Sequence, residues 1–102
     1  MNTINTLFQE PTKENIKEFL TQWITTIPRH VKYEHGLCIA KLGEILKNNL
    51  IIILEKTEEY ILIYWKPYTN ITMELRIMKD SITIKDYTYI IPPFYECSIK
   101  IF

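Results

Sequence analysis

Apolar residues recur with two different periods along the chain, and the change from one to the other falls at about residue 50. Before that point apolar residues return every three or four positions, which is the spacing of an amphipathic helix. After it they run together or alternate with polar residues, which is typical of β-strands. The pattern therefore predicts helices in the first half of the chain and a sheet in the second.

The clearest predicted helix begins after Pro11 and ends before Pro28. Thr12 is a suitable N-cap, and Glu14 is favourably placed in the first turn. Proline disfavours helical geometry in the residue before it, which gives the helix its end. One face carries the apolar stripe Ile16, Phe19, Leu20, Trp23, Ile24 and Ile27. At this spacing the stripe predicts a core-facing surface rather than a cofactor site.

A second helix is predicted from His35 onward, with a stop at Asn48 and Asn49, because asparagine tolerates left-handed geometry. Its predicted face holds Cys38, Leu42, Ile45, Leu46 and Asn49. The preceding segment 29–34 fits either a short strand or the opening of this helix. Residues 1–10 predict a loosely docked arm or a short edge strand.

The second half predicts strands joined by short polar turns, and connections this short make neighbouring strands antiparallel. Turns are expected at 57–59, 67–70 and 79–80, with a break at Pro92-Pro93. The predicted strands are Leu50–Lys56, Tyr60–Lys66, Ile71–Met78, Ser81–Lys85 and Tyr95–Phe102. Residues 1–102 are thus expected to form one α+β domain, with two N-terminal helices packed on one face of an antiparallel β-meander of four to five strands.

The segment Tyr60–Lys66 is apolar on both of its faces. It fits a central strand whose outer face is covered by the N-terminal arm or the C-terminal strand, or a strand whose outer face is an oligomer interface. Because exposed strand edges recruit other strands, we also expect self-association, with a homodimer as the simplest form.

Charge excludes some functions. Twelve basic residues balance twelve acidic ones, and Arg29 and Arg76 are the only arginines. A duplex-DNA binder that relies on phosphate neutralisation is not expected from this composition. The longest apolar runs are far shorter than the roughly 20 residues of a membrane span, and the N-terminus has no basic region followed by an apolar core. We therefore expect no membrane contact and a location in the cytoplasm.

Catalytic residue types are sparse. His30 and His35 are five positions apart rather than the four of a metal-binding helix, and Glu34 adds no recognisable motif. Ser81 and Ser98 lack the glycine-flanked turn of a hydrolase nucleophile. Two glycines in the whole chain leave no phosphate-binding loop. We expect no catalytic site, no metal and no cofactor.

Cys38 and Cys97 are the only cysteines, and their spacing matches no zinc or redox motif. Buried free thiols are the favoured interpretation, because free cysteine behaves as a small apolar residue. A disulfide that joins the helical layer to the sheet stays open as the alternative.

Two aromatic surfaces are candidates for binding. The first lies on the polar side of the predicted sheet and comprises Tyr60, Tyr64, Lys66, Arg76 and Lys85. The second surrounds the proline pair and comprises Tyr87, Tyr89, Phe94 and Tyr95. We expect a non-enzymatic interaction protein that binds itself and another protein through a sheet edge or the Tyr/Pro-rich surface. The alternative is binding of single-stranded nucleic acid, with bases stacked on the tyrosines of the sheet face.

Isoleucine and lysine are abundant while alanine and glycine are rare, as in the stretches Leu50–Leu54 and Tyr60–Trp65. In this composition, and in its compact α+β order, the chain resembles the small orphan proteins of filamentous viruses that infect hyperthermophilic archaea such as Acidianus. The resemblance implies a thermostable viral protein expressed in the cytoplasm of an archaeal host cell. It also implies that the partner, other than the chain itself, is a host or viral protein. It carries over no functional residues.

Overall fold

The computed structural model describes residues 3–47, 52–68, 71–86 and 95–101. Its helices are α1 (Ile4–Gln9), α2 (Lys13–Thr26), α3 (Arg29–Glu34) and α4 (Gly36–Lys47). Its strands are β1 (Ile52–Lys56), β2 (Tyr60–Tyr68), β3 (Ile71–Met78), β4 (Ser81–Asp86) and β5 (Tyr95–Lys100). The predicted class, α+β with helices preceding an antiparallel meander, is confirmed. The chain forms two compact units, Met1–Asn49 and Leu50–Phe102.

Helix α2 has the predicted start and end. The Thr12 hydroxyl accepts a hydrogen bond from the backbone N–H of Asn15 at 3.1 Å, which satisfies a donor that the first turn leaves unpaired. At the other end Ile27, directly before Pro28, has extended backbone geometry, so the helix stops at Thr26. The buried residues of α2 are Ile16, Phe19, Leu20 and Trp23.

Two of the four described helices, α1 and α3, were not among the two predicted helices. Residues 4–9 form α1 rather than an arm or a strand: the Thr3 hydroxyl caps the N–H of Thr6 at 3.2 Å, and Leu7 is fully buried. The ambiguous segment after Pro28 is helix α3, in which Tyr33 is 90% exposed. The alternation that suggested a strand there is therefore accidental.

Helix α4 confirms the second predicted helix. It begins at Gly36, and its residues Cys38 and Leu42 are buried as expected. The predicted stop at Asn48-Asn49 lies outside the described residues.

The five strands form one antiparallel sheet in chain order, β1-β2-β3-β4-β5. This order makes β2 an internal strand between β1 and β3, as predicted for a central strand. Its outward residues Tyr60, Leu62 and Tyr64 are only half-buried, and β5 does not cover them because it pairs with β4 in the same sheet. One face of the sheet is buried, and its isoleucines and Leu75 follow the predicted alternation. The buried residues of this face are Ile61, Ile63, Leu75, Ile77, Ile82, Ile84, Cys97 and Ile99.

Strand β2 is longer than predicted. Pro67 and Tyr68 belong to the end of β2 instead of opening the turn at 67–70, whose last two residues lie outside the described part of the chain. The pairing register of β2 with β3 shifts between Trp65 and Tyr68. Such an irregularity accommodates a proline, which has no N–H to donate to the ladder.

Both cysteines are buried, as the sequence predicts, yet neither is a free thiol. Cys38 and Cys97 are both disulfide-bonded. The favoured interpretation as free thiols is therefore wrong, because burial alone does not distinguish a reduced cysteine from an oxidised one.

Within the described residues, no helix is both long enough and apolar enough to cross a lipid bilayer.

Candidate functional site

The side of the sheet opposite the buried isoleucines carries polar residues in two cross-strand rows. One row places Tyr64, Glu74, Lys85 and Glu96 on neighbouring strands, and the other places Leu62, Arg76, Thr83 and Ser98. Residues opposite each other in an antiparallel pair are close enough for their side chains to interact. We call this surface, together with Tyr60, the polar face.

Arg76 interacts with two other residues of the polar face, Glu74 and Tyr60. Its Nη2 atom lies 3.8 Å from Oε1 of Glu74. Its guanidinium carbon lies 4.7 Å from the centre of the Tyr60 ring, a cation–π distance. Glu74 lies on this face, but it is only 7% exposed.

The hydroxyl of Tyr60 also interacts with a neighbouring side chain, that of Glu55. A side-chain hydrogen bond with Glu55, reinforced by desolvation, raises the pKa of Tyr60 above its ordinary value of 10.0. The nearby Arg76 acts in the opposite direction and is outweighed. The ring and the hydroxyl of Tyr60 thus both interact with neighbouring side chains of the sheet.

A polar concavity lies at the centre of this face, with about 480 Å³ of empty space that is partly open to solvent. The lining residues are Glu74, Arg76, Thr83, Lys85 and Glu96. Two carboxylates and two cations compensate each other, so the site has no net charge with which to attract a phosphate. Binding of single-stranded nucleic acid stays a prediction that this arrangement does not favour.

Strand β5 lies at one edge of the described sheet. Among the described strands, β5 pairs with β4 alone. The N–H of Ile101 donates to the carbonyl of Asp80 at 2.8 Å. Since backbone groups alternate in direction along an antiparallel strand, this bond means that residues 97 and 99 bond to β4.

It follows that Glu96, Ser98 and Lys100 direct their N–H and C=O groups away from β4. Their side chains are exposed, whereas Cys97 and Ile99 are buried. We call the backbone groups of these three residues the outer edge of β5. A sheet edge was expected as a binding site, but its residues were not named, because identifying them requires the strand order.

The structure describes some of the residues predicted to form the two binding surfaces and leaves others outside. Tyr60, Tyr64, Arg76 and Lys85 lie together on the polar face, as expected. Lys66 belongs to β2 and Tyr95 begins β5, but their side chains are outside the described part of the structure. Tyr87, Tyr89 and Phe94 are outside the described residues, and so is the surface around the proline pair.

The histidine cluster is spread over a helix end. Arg29, His30, Tyr33 and Glu34 line an open depression on α3, while His35 follows the last residue of that helix. In the part of the chain that the structure describes, no three histidine, cysteine or acidic side chains are placed to hold a metal ion.

No family model, no curated protein and no solved structure matches the chain. The functional proposal therefore rests on the geometry of the sheet and of β5.

Proposed function

We propose that this protein is a non-enzymatic interaction protein that binds an extended segment of a polypeptide along the outer edge of β5. The observation that carries the proposal is the direction of the backbone groups of Glu96, Ser98 and Lys100. A strand edge that offers N–H and C=O groups in strand geometry is a template for a further strand.

The affinity of such a site comes from the backbone, since an added strand repeats the hydrogen bonds of the ladder. Its specificity comes from the side chains of the same three residues. Glu96 favours a cationic residue opposite it, Lys100 favours an anionic one, and Ser98 between them is small. Charges at these exposed positions select the partner and its register more than they raise its affinity.

The outer edge of β5 is held in position before any partner arrives. Pairing with β4 extends over all six residues of β5, from Tyr95 to Lys100. The side chains of Cys97 and Ile99 are buried, and Cys97 is disulfide-bonded. A strand that is already ordered loses little conformational entropy when it binds, which favours association.

Ser98 offers a matched pair of variants for the test. Its hydroxyl lies 3.2 Å from that of Thr83, so Ser98→Ala and Ser98→Pro lose the same side-chain contact. Only proline also removes the outward N–H, and this N–H is not part of the ladder with β4. The two variants therefore differ in this outward N–H and in the backbone angle φ that proline fixes, so the comparison requires that Ser98→Pro keeps its fold.

The probe is a displayed library of random short peptides, from which binders to the wild-type protein are selected. Selected peptides are expected to bind wild type and Ser98→Ala with equal affinity. Their affinity for Ser98→Pro is expected to be lower by about tenfold or more. Thermal melting of both variants checks that the sheet is intact. Failure to select any binder, or equal binding to a folded Ser98→Pro variant, would overturn the proposal.

A further inference from the structure

The outer edge of β5 is complementary to itself. Along the strand, the residues whose backbone groups point away from β4 are Glu96, Ser98 and Lys100. They are an acid, a neutral residue and a base. When two such strands run antiparallel with Ser98 opposite Ser98, each Glu96 lies opposite Lys100 of the second copy. Opposite charges in directly opposed positions stabilise a strand pair.

The backbone N–H and C=O groups also fit this register. In this arrangement the opposed residues are those whose N–H and C=O groups point outward, so each opposed pair exchanges two hydrogen bonds. The three opposed pairs contribute about six backbone hydrogen bonds across the junction. The side-chain and backbone requirements are therefore met by one and the same register.

Other symmetric registers of β5 lose the charge pairs. Centring the junction on Glu96 or on Lys100 brings two like charges directly opposite, which is unfavourable. Centring it on Cys97 or Ile99 sets a charged residue opposite Ser98 of the second copy. Among the described residues of β5, only the register centred on Ser98 pairs opposite charges on both sides.

We propose that the partner of the outer edge of β5 is a second copy of this chain, joined antiparallel about a two-fold axis that passes between the Ser98 residues of the two copies. The two sheets then continue into one another as a single antiparallel sheet. This inference rests on the proposed function, because it names the partner of the same edge. The same patch serves both copies, as a two-fold interface requires.

The junction has two expected properties. It buries little surface, since a single strand from each copy takes part, so the dimer is weak and forms in a concentration-dependent way. Its two charge pairs lie at exposed positions, so added salt weakens it. Sedimentation velocity at concentrations from about 1 µM to 1 mM covers the range in which such a dimer dissociates.

Charge reversal tests the register directly. Glu96→Lys alone and Lys100→Glu alone each place like charges opposite in the homodimer, and each is expected to weaken self-association about tenfold or more. An equimolar mixture of the two variants restores opposite charges on both sides, and so does the double variant Glu96→Lys/Lys100→Glu. Recovery of dimer in the mixture and in the double variant is the expected result.

Two controls separate this effect from loss of structure. Glu58→Lys makes the same change of charge at an exposed turn far along the chain from β5, and it should leave self-association unchanged. Glu96→Gln avoids the repulsion with Lys85, its neighbour on β4, and should weaken the dimer less than Glu96→Lys. Recovery in the mixture also requires that both single variants are folded.

The outcomes distinguish this inference from the proposed function. A chain that stays monomeric over the whole concentration range, while selected peptides still bind in a way that Ser98→Pro weakens, overturns the second-copy proposal alone. A dimer that is indifferent to the charge variants and to Ser98→Pro also overturns it, because another surface then joins the copies. Absence of both dimer and peptide binding overturns both proposals.

Discussion

The helical residues 3–47 and the sheet residues that begin at 52 both bury apolar side chains on one side, but they satisfy their polar groups differently. In the helices, the side-chain hydrogen bonds of the caps formed by Thr3 and Thr12 are local. In the sheet, Thr83 reaches Ser98 fifteen residues away, and Arg76 lies over the ring of Tyr60. Interactions of the first kind depend on neighbouring residues, and those of the second kind depend on strand order.

This difference explains where the candidate sites lie. A helix satisfies its backbone internally apart from its ends, so α2 offers a partner only side chains. A sheet satisfies its backbone only through neighbouring strands, so its last strand keeps one set of N–H and C=O groups for a partner. The outer edge of β5 is the consequence of that difference.

The largest expected effect concerns the buried side of the sheet. Ile77 is fully buried in β3 and lies between Ile61 and Ile82 on the neighbouring strands. Ile77→Ala should lower the free energy of unfolding by about 2–5 kcal/mol, because it leaves a cavity among close-packed side chains, and Ile77→Val by about 0.5–1.5 kcal/mol. Urea denaturation measures both. Equal costs for the two variants would show that this position is not tightly packed.

The second prediction concerns the cysteines, one on α4 and one on β5, neither of which is a free thiol. Without reductant, the denatured chain should not react with iodoacetamide. Reduction should lower the free energy of unfolding by about 2–4 kcal/mol, because the unfolded chain gains conformational freedom. Labelling of the unreduced, denatured protein on two cysteines would contradict this expectation.

A smaller effect is expected at the start of α2, where stability is local. Thr12→Ala removes the acceptor for the N–H of Asn15 and should cost about 0.5–2 kcal/mol. Thr12→Ser keeps a hydroxyl in this position and serves as the control. Thermal unfolding followed by circular dichroism compares the two. An unchanged melting temperature in Thr12→Ala would mean that the cap adds nothing to this helix.

The smallest effect concerns pH and the polar face. Because the folded-state pKa of Tyr60 is raised above 10.0, the folded chain keeps this proton at pH values where the unfolded chain has lost it. The stability that this group contributes is fully present below the unfolded pKa and is lost as the pH rises through the folded pKa. Tyr60→Phe should therefore flatten the fall of unfolding free energy at alkaline pH.

Two further variants sharpen this prediction. Glu55→Gln removes the carboxylate that is the main cause of the shift, so the pKa of Tyr60 should fall toward 10.0 in an ultraviolet titration of tyrosine. Tyr33→Phe, at a highly exposed residue of α3, is the matched control for the loss of one tyrosine hydroxyl. A titration that is identical in wild type and Glu55→Gln would contradict the assigned cause.

Much of the secondary structure was predictable because its signals are local. The three-and-four spacing of α2, with Thr12 before it and Pro28 after it, identifies this helix without reference to the rest of the fold. The alternation in β3 and β4 identifies their buried residues in the same way. Helix α1 was missed although Thr3 is a suitable cap and Ile4, Leu7 and Phe8 have helical spacing, because so short a helix is not stable by itself.

The candidate site was only partly predictable. Alternation correctly assigned Tyr60, Tyr64, Arg76 and Lys85 to one side of the sheet. It could not reveal that Arg76 is engaged by both Glu74 and Tyr60, because those contacts depend on which strands pair and in which register.

The sequence by itself determined that helices precede a sheet, and which side of each strand is apolar, because the periods of 3.6 and 2 are written in the order of the residues. Only the tertiary structure decided that β5 is the last strand, that both cysteines are disulfide-bonded, and that Glu96, Ser98 and Lys100 turn their backbone groups away from β4. The physical reason is that these features depend on contacts between residues far apart in the chain, which no local pattern specifies.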